Sequence, residues 1–365
     1  MLAERKNIET KVFYTWSQTE KEEKYDPGFG ANIQWNIPLL DGYEYAFIKN
    51  VSPVPGSHHF KGIENPTLIE EVEKWEPSAV LIYGWSFKSH LKALRYFKGR
   101  IPVFFRGDST LLDPMSFLKK IARTILLRHI YKYIDIALYA GNANKLYFKA
   151  AGVKETQLVF MPHAIDNQRF SFETGSPIRK MGGITSFLFA GKLEPKKQPL
   201  ELAAAFIQLN EANTELIIAG SGELKEQLSE LCRGWTNIKL IGFVNQQEMP
   251  GLYANADVFV LPSRGPGETW GLAINEAMAA GKVIICTDVC GAASDLVMEG
   301  RNGYVINAKD NNGIYNALKR CVDKRAYLKG MGKESLEIIQ QYSFMEDCKA
   351  VESLFRNANL APIVN

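Results

Sequence analysis

Between residues 259 and 285 the chain reads FVLPSRGPGETWGLAINEAMAAGKVII, and this stretch constrains the fold more than any other. Phe259, Val260 and Leu261 make a short apolar run stopped by Pro262, the pattern of a strand buried on both faces. A breaker-rich loop follows from Pro262 to Gly267. From Gly271 to Ala280 the spacing is helical, with Leu272, Glu276 and Ala279 on one face. Gly281 ends the helix, and Val283, Ile284 and Ile285 open the next strand. Strand, loop, helix and strand make one βαβ unit, so the chain belongs to the α/β class.

Open α/β sheets bind ligands outside the carboxyl ends of their strands, where this loop falls. A helix N-terminus there offers unbonded N–H groups and about half a positive charge, which suits a phosphate. Glu268 precedes the helix and Glu276 lies within it. Carboxylates are poor phosphate ligands but good acceptors for sugar hydroxyls on either side of a phosphate. A nucleotide-sugar has that layout: ribose, diphosphate, hexose. The competing reading is a surface loop and an ordinary amphipathic helix with solvated carboxylates.

Glu268 and Glu276 stand in Glu-x-Trp-Gly-Leu-x4-Glu-Ala-Met-Ala-x-Gly. This resembles the donor-site signature of the family 4 glycosyltransferases, which are retaining enzymes. The resemblance implies two Rossmann-like domains facing across a cleft, the GT-B architecture. It extends to Gly191-Lys192-Leu193-Glu194-Pro195-Lys196-Lys197, which is similar to the family's Gly-Arg-Leu-x-Pro-x-Lys loop. Lysine at 192 keeps the charge of the commoner arginine and loses its bidentate geometry. The implied roles are Glu276 on the nucleotide ribose, Glu268 on the donor sugar, and the backbone near Phe243 and Val244 on the base. Lys192, Lys197 and the helix start at Gly271 would face the leaving diphosphate. Gly191, Thr269, Trp270 and Leu272 complete the donor side. The implied activity is metal-independent transfer of a sugar to a glycan or lipid-linked acceptor, with Glu268, Lys192 and Lys197 as the catalytic set. No Asp-x-Asp is present to hold Mg²⁺ between phosphates, and two lysines can carry that charge instead. Neither a metal nor a cofactor is expected.

The chain has 365 residues, enough for two domains. The expected division is an acceptor-side domain over 1–170, a linker over 171–184, a donor-binding domain over 185–341, and a C-terminal helix in 342–365 packing back on the first domain. In the first domain the family usually opens with a strand, a Gly-rich loop and a helix. Here residues 1–9 read as the tail of a helix and the strand and loop before it are missing. That departure keeps a second reading open, a catalytically impaired GT-B subunit that binds a nucleotide-sugar or a protein partner. Residues 24–42 read as loop. Arg106 and Asp108 follow the strand IPVFFRG, where many family members place a sugar-contacting histidine; they are acceptor-side candidates. A non-hydrolysing epimerase matches the Glu-x-Trp-Gly-Leu loop and the lysines less well.

Composition limits the setting. Hydrophobic residues are 46% and charged residues 23%, as in ordinary globular proteins. No apolar run reaches the ~20 residues that span a bilayer. The polar start MLAERKNIETK is unlike a signal peptide. Five scattered cysteines suit a reducing compartment, so a cytoplasmic location is expected. Between Lys88 and Lys154 there are 14 Lys/Arg against Asp108, Asp113 and Asp135, a local basic field that suits an anionic partner. No nucleic-acid motif accompanies it. Residues 114–133 concentrate that charge on a helical pattern in which Leu118, Ile121 and Ile125 share a face. The two readings are a domain helix with its apolar side in the core, and a helix that meets an anionic membrane surface, peripheral on its inner face.

Overall fold

A computed structural model describes residues 1–5, 7–16, 24–26, 28–171 and 183–357. Most of the expected linker lies outside the described residues. The chain divides into two compact units: 1–19 with 38–162 and 344–365, and 20–37 with 163–343. The sequence placed 1–170 together; in the structure residues 20–37 and 163–170 pack with the second unit.

The first unit holds a parallel four-stranded sheet in chain order: Val80–Tyr83, Val103–Arg106, Ile136–Tyr139 and Leu158–Phe160. Alternation along the second strand serves both faces. Val103 and Phe105 join Leu94, Phe97, Ile130 and Phe148 on one side. Phe104 joins Leu138, Ile8, Val351 and Leu354 on the other. The helix Phe344–Asn357 therefore covers the second face of this sheet. A separate parallel pair joins Lys11–Tyr14 to Glu44–Phe47. Residues 1–5 and 7–9, expected as the tail of a helix, make only turns, and Ile8 is held by hydrophobic packing. One isolated turn without an amphipathic continuation cannot sustain a helix.

The second unit has a six-stranded parallel sheet in the order Ile238–Gly242, Thr214–Ala219, Thr185–Ala190, Val258–Leu261, Val283–Thr287, Gly303–Ile306. Numbered along the chain this is 3-2-1-4-5-6, the doubly wound order. Phe187, Phe189, Val258 and Val260 face helices Pro199–Leu209 and Gly313–Asp323. Leu188, Phe259, Leu261 and Ile284 face helix Leu272–Ala279. From Thr185–Ala190 the chain moves to one side of the sheet, and from Val258–Leu261 to the other. These two strands are neighbours, with Val258 opposite Phe187, so a crevice opens at their carboxyl ends.

Residues 24–33 depart from the expected loop. Lys24–Asp26 and Ala31–Ile33 pair as a short antiparallel hairpin within the second unit. Strands of three residues carry too little alternation to be read from sequence. All five cysteines are free and buried. Among the described residues no helix is long and apolar enough to cross a membrane.

Candidate functional site

The loops that leave Thr185–Ala190 and Val258–Leu261 meet at this crevice. Arg264 N donates to Lys196 O at 2.7 Å, tying one loop to the other. Across the tie, Lys197 Nζ donates to the Glu268 carboxylate, and Ser263 Oγ donates to Glu268 Oε2 at 2.7 Å. The lysine and glutamate side chains are 17% and 11% exposed, so little water screens the pair. Helix Leu272–Ala279 starts beside them. Gly271 precedes it at φ 97°, a left-handed conformation that favours glycine, and a Cβ there would lie 3.0 Å from Leu261 Cδ2. Ile274 N already donates to Gly271 O at 2.8 Å, while the first N–H groups of a helix have no acceptor within it.

Glu276 lies farther along this helix, at a cavity of about 140 Å³. Gly191, Gly220, Phe243 and Val244 line it as well. Burial pushes the Glu276 carboxyl up; the Tyr253 hydroxyl, donating at 2.8 Å, and the Arg169 guanidinium pull against that. Gly220, at φ 148°, lets two strand ends touch: a Cβ there would sit 1.8 Å from Gly191 O. The Gly220-x-Gly222 turn thus serves close packing of adjacent loops.

The hairpin and the residues just after it supply what sequence reasoning missed. Phe29 and Trp35 line the same cavity, and the Phe29 ring meets Phe243 edge-on at 5.2 Å. Asp26 takes Lys192 Nζ at 2.8 and 3.1 Å. Burial works to raise the Asp26 carboxyl. Lys192 and the N–H groups of Gly28 and Phe29 outweigh it, and the net result lies below the usual value. Lys192 also sits 5.0 Å above the Phe29 ring, and a Cβ at Gly28 would strike its side chain at 2.6 Å. The Asp-Pro-Gly-Phe-Gly run at 26–30 is the only sequence signal of this turn, and it names no partner 166 residues away.

Other expected site residues fall elsewhere. The Trp270 indole is buried in the core; its Nε1 donates to Asn275 Oδ1 at 2.8 Å, and Asn275 Nδ2 donates to His163 O at 2.7 Å. Its side chain packs behind the loop, against the core. Arg106, in the first unit, is buried and gives its guanidinium to the carbonyls of Met161 and Pro162 at 2.6 and 2.7 Å. It braces two strand ends, which leaves little of it for an acceptor. Asp108 is exposed. Leu272 is partly exposed at the helix start, and Thr269 precedes Trp270 in the loop. Among the described residues no three His, Cys, Asp or Glu side chains cluster as metal ligands.

A doubly wound sheet with a lysine–glutamate pair and a helix start at its switch point offers a ligand site where open α/β sheets place one. Residues 185–324, within the second unit, match the family model described as glycosyl transferases group 1. The fold as a whole is that of GT-B glycosyltransferases. The chain is 25% identical to a sulfoquinovosyl transferase of Arabidopsis thaliana over 80% of this chain and 58% of that one. It is 26% identical to a GDP-mannose-dependent phosphatidylinositol monomannoside mannosyltransferase of Mycobacterium tuberculosis, over 60% of each. The match to an uncharacterized glycosyltransferase of Methanocaldococcus jannaschii is 29% identical over 47% of this chain and 44% of that one. The chain thus spans about half the length of the curated relatives it matches. Among solved structures, Anabaena HepE in complex with UDP shares the fold at TM-score 0.67 and 19% identity, over 86% of each chain. Sucrose-phosphate synthase from Thermosynechococcus elongatus does so at TM-score 0.69 and 17% identity, over 95% of this chain and 88% of that one.

Proposed function

We propose that the chain is a retaining, metal-independent glycosyltransferase of family 4, which moves a sugar from a nucleotide diphosphate to a glycan or lipid-linked acceptor. The observation that carries this reading is the Lys197–Glu268 pair set beside the Gly271 helix start. When a donor enters, its diphosphate competes for Lys197 and draws the ammonium from Glu268. The freed carboxylate then accepts hydroxyls of the donor sugar. Each group thereby gains a partner only when the donor is present. Lys197 and the helix N–H groups stabilise the charge that grows on the leaving diphosphate as the anomeric C–O bond breaks. Such preorganised donors are worth on the order of 3–4 kcal/mol each.

Around that centre, Glu276 accepts from the ribose, and Phe243, Val244, Phe29 and Trp35 enclose the base. Lys192 joins the diphosphate side by exchanging Asp26 for phosphate. Two lysines can supply the charge neutralisation that a divalent cation supplies elsewhere, which supports the metal-free reading. Titrating the protein with uridine, guanosine and adenosine diphosphates and their sugars, and following its melting temperature, tests the site. A ligand at ~100 times its Kd adds about 2.7 kcal/mol of apparent stability. Stabilisation by one base series, with donor turnover that survives EDTA, is expected. Absence of any shift overturns the donor site, and loss of turnover in EDTA overturns metal independence. Binding without turnover would favour the impaired-subunit reading.

A further inference from the structure

Helix Phe117–Tyr131 inverts the simpler expectation from its sequence. One of the two readings put its apolar side in the core. Instead only Leu127, Ile130 and Tyr131 are buried, on the opposite side. Phe117 is 75% exposed, Leu118 77% and Ile125 64%, with Ile121 and Leu126 also in solvent. Leu111 and Met115, in the segment before the helix, are exposed as well. Single exposed apolar residues need no explanation, but a contiguous set on one helix marks an interaction surface.

Charge identifies what covers it. From Pro114 to Tyr133 the chain carries Lys119, Lys120, Arg123, Arg128 and Lys132 and no acidic residue. Lys119 and Lys120 are exposed and follow directly on Phe117 and Leu118. Arg128 is exposed one turn beyond Ile125. Arg123 differs: its guanidinium lies 5.3 Å from the Tyr147 ring and donates to that hydroxyl at 3.2 Å, which pins the helix to its own unit. An apolar stripe with aromatic and leucine tips, with exposed lysines on the other side, is the composition of a helix that lies in a membrane interface. A protein partner would need matching acids around an apolar socket. A bilayer containing anionic lipid offers both over any area.

We infer that this helix docks the protein on an anionic lipid surface, with Phe117, Leu118, Ile121 and Ile125 entering the acyl boundary and Lys119, Lys120 and Arg128 meeting the headgroups. The inference stands apart from the donor site, and its test needs no nucleotide. The full chain is sedimented with vesicles of phosphatidylcholine and with vesicles in which phosphatidylglycerol replaces part of it. Wild-type protein pellets with the anionic vesicles and much less with the neutral ones. Raising salt from ~0.1 to ~1 M shortens the screening length from ~10 to ~3 Å and lowers binding. Each basic side chain near such a surface contributes about a five-fold factor, so Lys119→Glu/Lys120→Glu lowers binding on the order of 10²-fold. Phe117→Ser/Leu118→Ser abolishes it even at low salt. Both variants alter exposed side chains and keep the wild-type melting temperature, which is measured alongside. Equal pelleting with both vesicle types, or unchanged binding by either variant, overturns the inference. So does a dimer in solution that Phe117→Ser/Leu118→Ser dissociates, because a second copy then covers the face.

Discussion

Lys197 and Glu268 hold each other at the ends of two neighbouring strands, so removing either leaves the other with altered chemistry. Lys197→Ala should leave the fold intact, since Ser263 still donates to Glu268. Turnover should fall roughly 10²–10³-fold, the loss expected for one charge-stabilising donor. Steady-state rates with the purified variant check this, and near-normal turnover would remove the diphosphate role. At this scale the strand, loop and helix around Glu268 and Glu276 were legible because their signals, a strand end and a helix turn, are both local. The part played by Trp270 was not. An indole inside a functional motif reads as a ligand contact, and only the packing shows that its N–H is taken by Asn275. Arg106 misled for the same reason: an arginine at a strand's carboxyl end looks available until two backbone carbonyls claim it.

Two elements carry most of what the sequence withheld. The 24–33 hairpin is legible only as a turn, because its strands are short and its partners are remote in sequence. If Phe29 and Phe243 enclose the base together, Phe29→Ala should weaken nucleotide affinity by about ten-fold, the upper end for one lost aromatic contact. Calorimetric titration measures this, and an unchanged Kd would take the hairpin out of the donor site. The helix Phe344–Asn357 was expected near the end of the chain, but not the environment of Asp347 upon it. Burial raises that carboxyl from 3.8 to about 7, with Glu346 adding to the rise and Arg106 opposing it. Its Oδ1 is buried with no hydrogen-bond partner. The folded state therefore keeps this proton to higher pH than the unfolded chain does. Stability is full below about pH 4, falls as pH rises toward 7, and is flat above. Asp347→Asn should remove that loss and gain roughly 2–4 kcal/mol over wild type at pH 8, with the gap closing in acid. Denaturant melts across that range check it; a constant gap, or none, would show that Asp347 does not titrate there.

On the scale of the whole molecule, each unit has its own sheet and its own two-sided core. The doubly wound order of the second unit could be anticipated, because strands and helices alternate cleanly from residue 185 onward. In the first unit the packing of the C-terminal helix was implied by the resemblance, but periodicity had no means of assigning the 24–33 hairpin to the second unit. Val351 and Leu354 against Phe104 and Leu138 make residues 344–357 part of the first unit. Ending the chain after Ser343 should expose that sheet face and make the first unit sensitive to protease. Nucleotide binding by residues 20–37 and 163–343 should persist. Limited proteolysis with and without nucleotide distinguishes these effects, and equal resistance of both units would show the helix to be dispensable.

That closing helix also sets an order of events at the ribosome. Its partner strands emerge first, and about 180 residues are made before it follows. At roughly 5–20 residues per second the nascent sheet waits some ten to forty seconds with Phe104 and Leu138 uncovered. The later-made unit has its last residues at the end of that interval, just before the closing helix follows. The half that is synthesised first is thus completed last, and during the wait its open face is a natural place for a chaperone to bind.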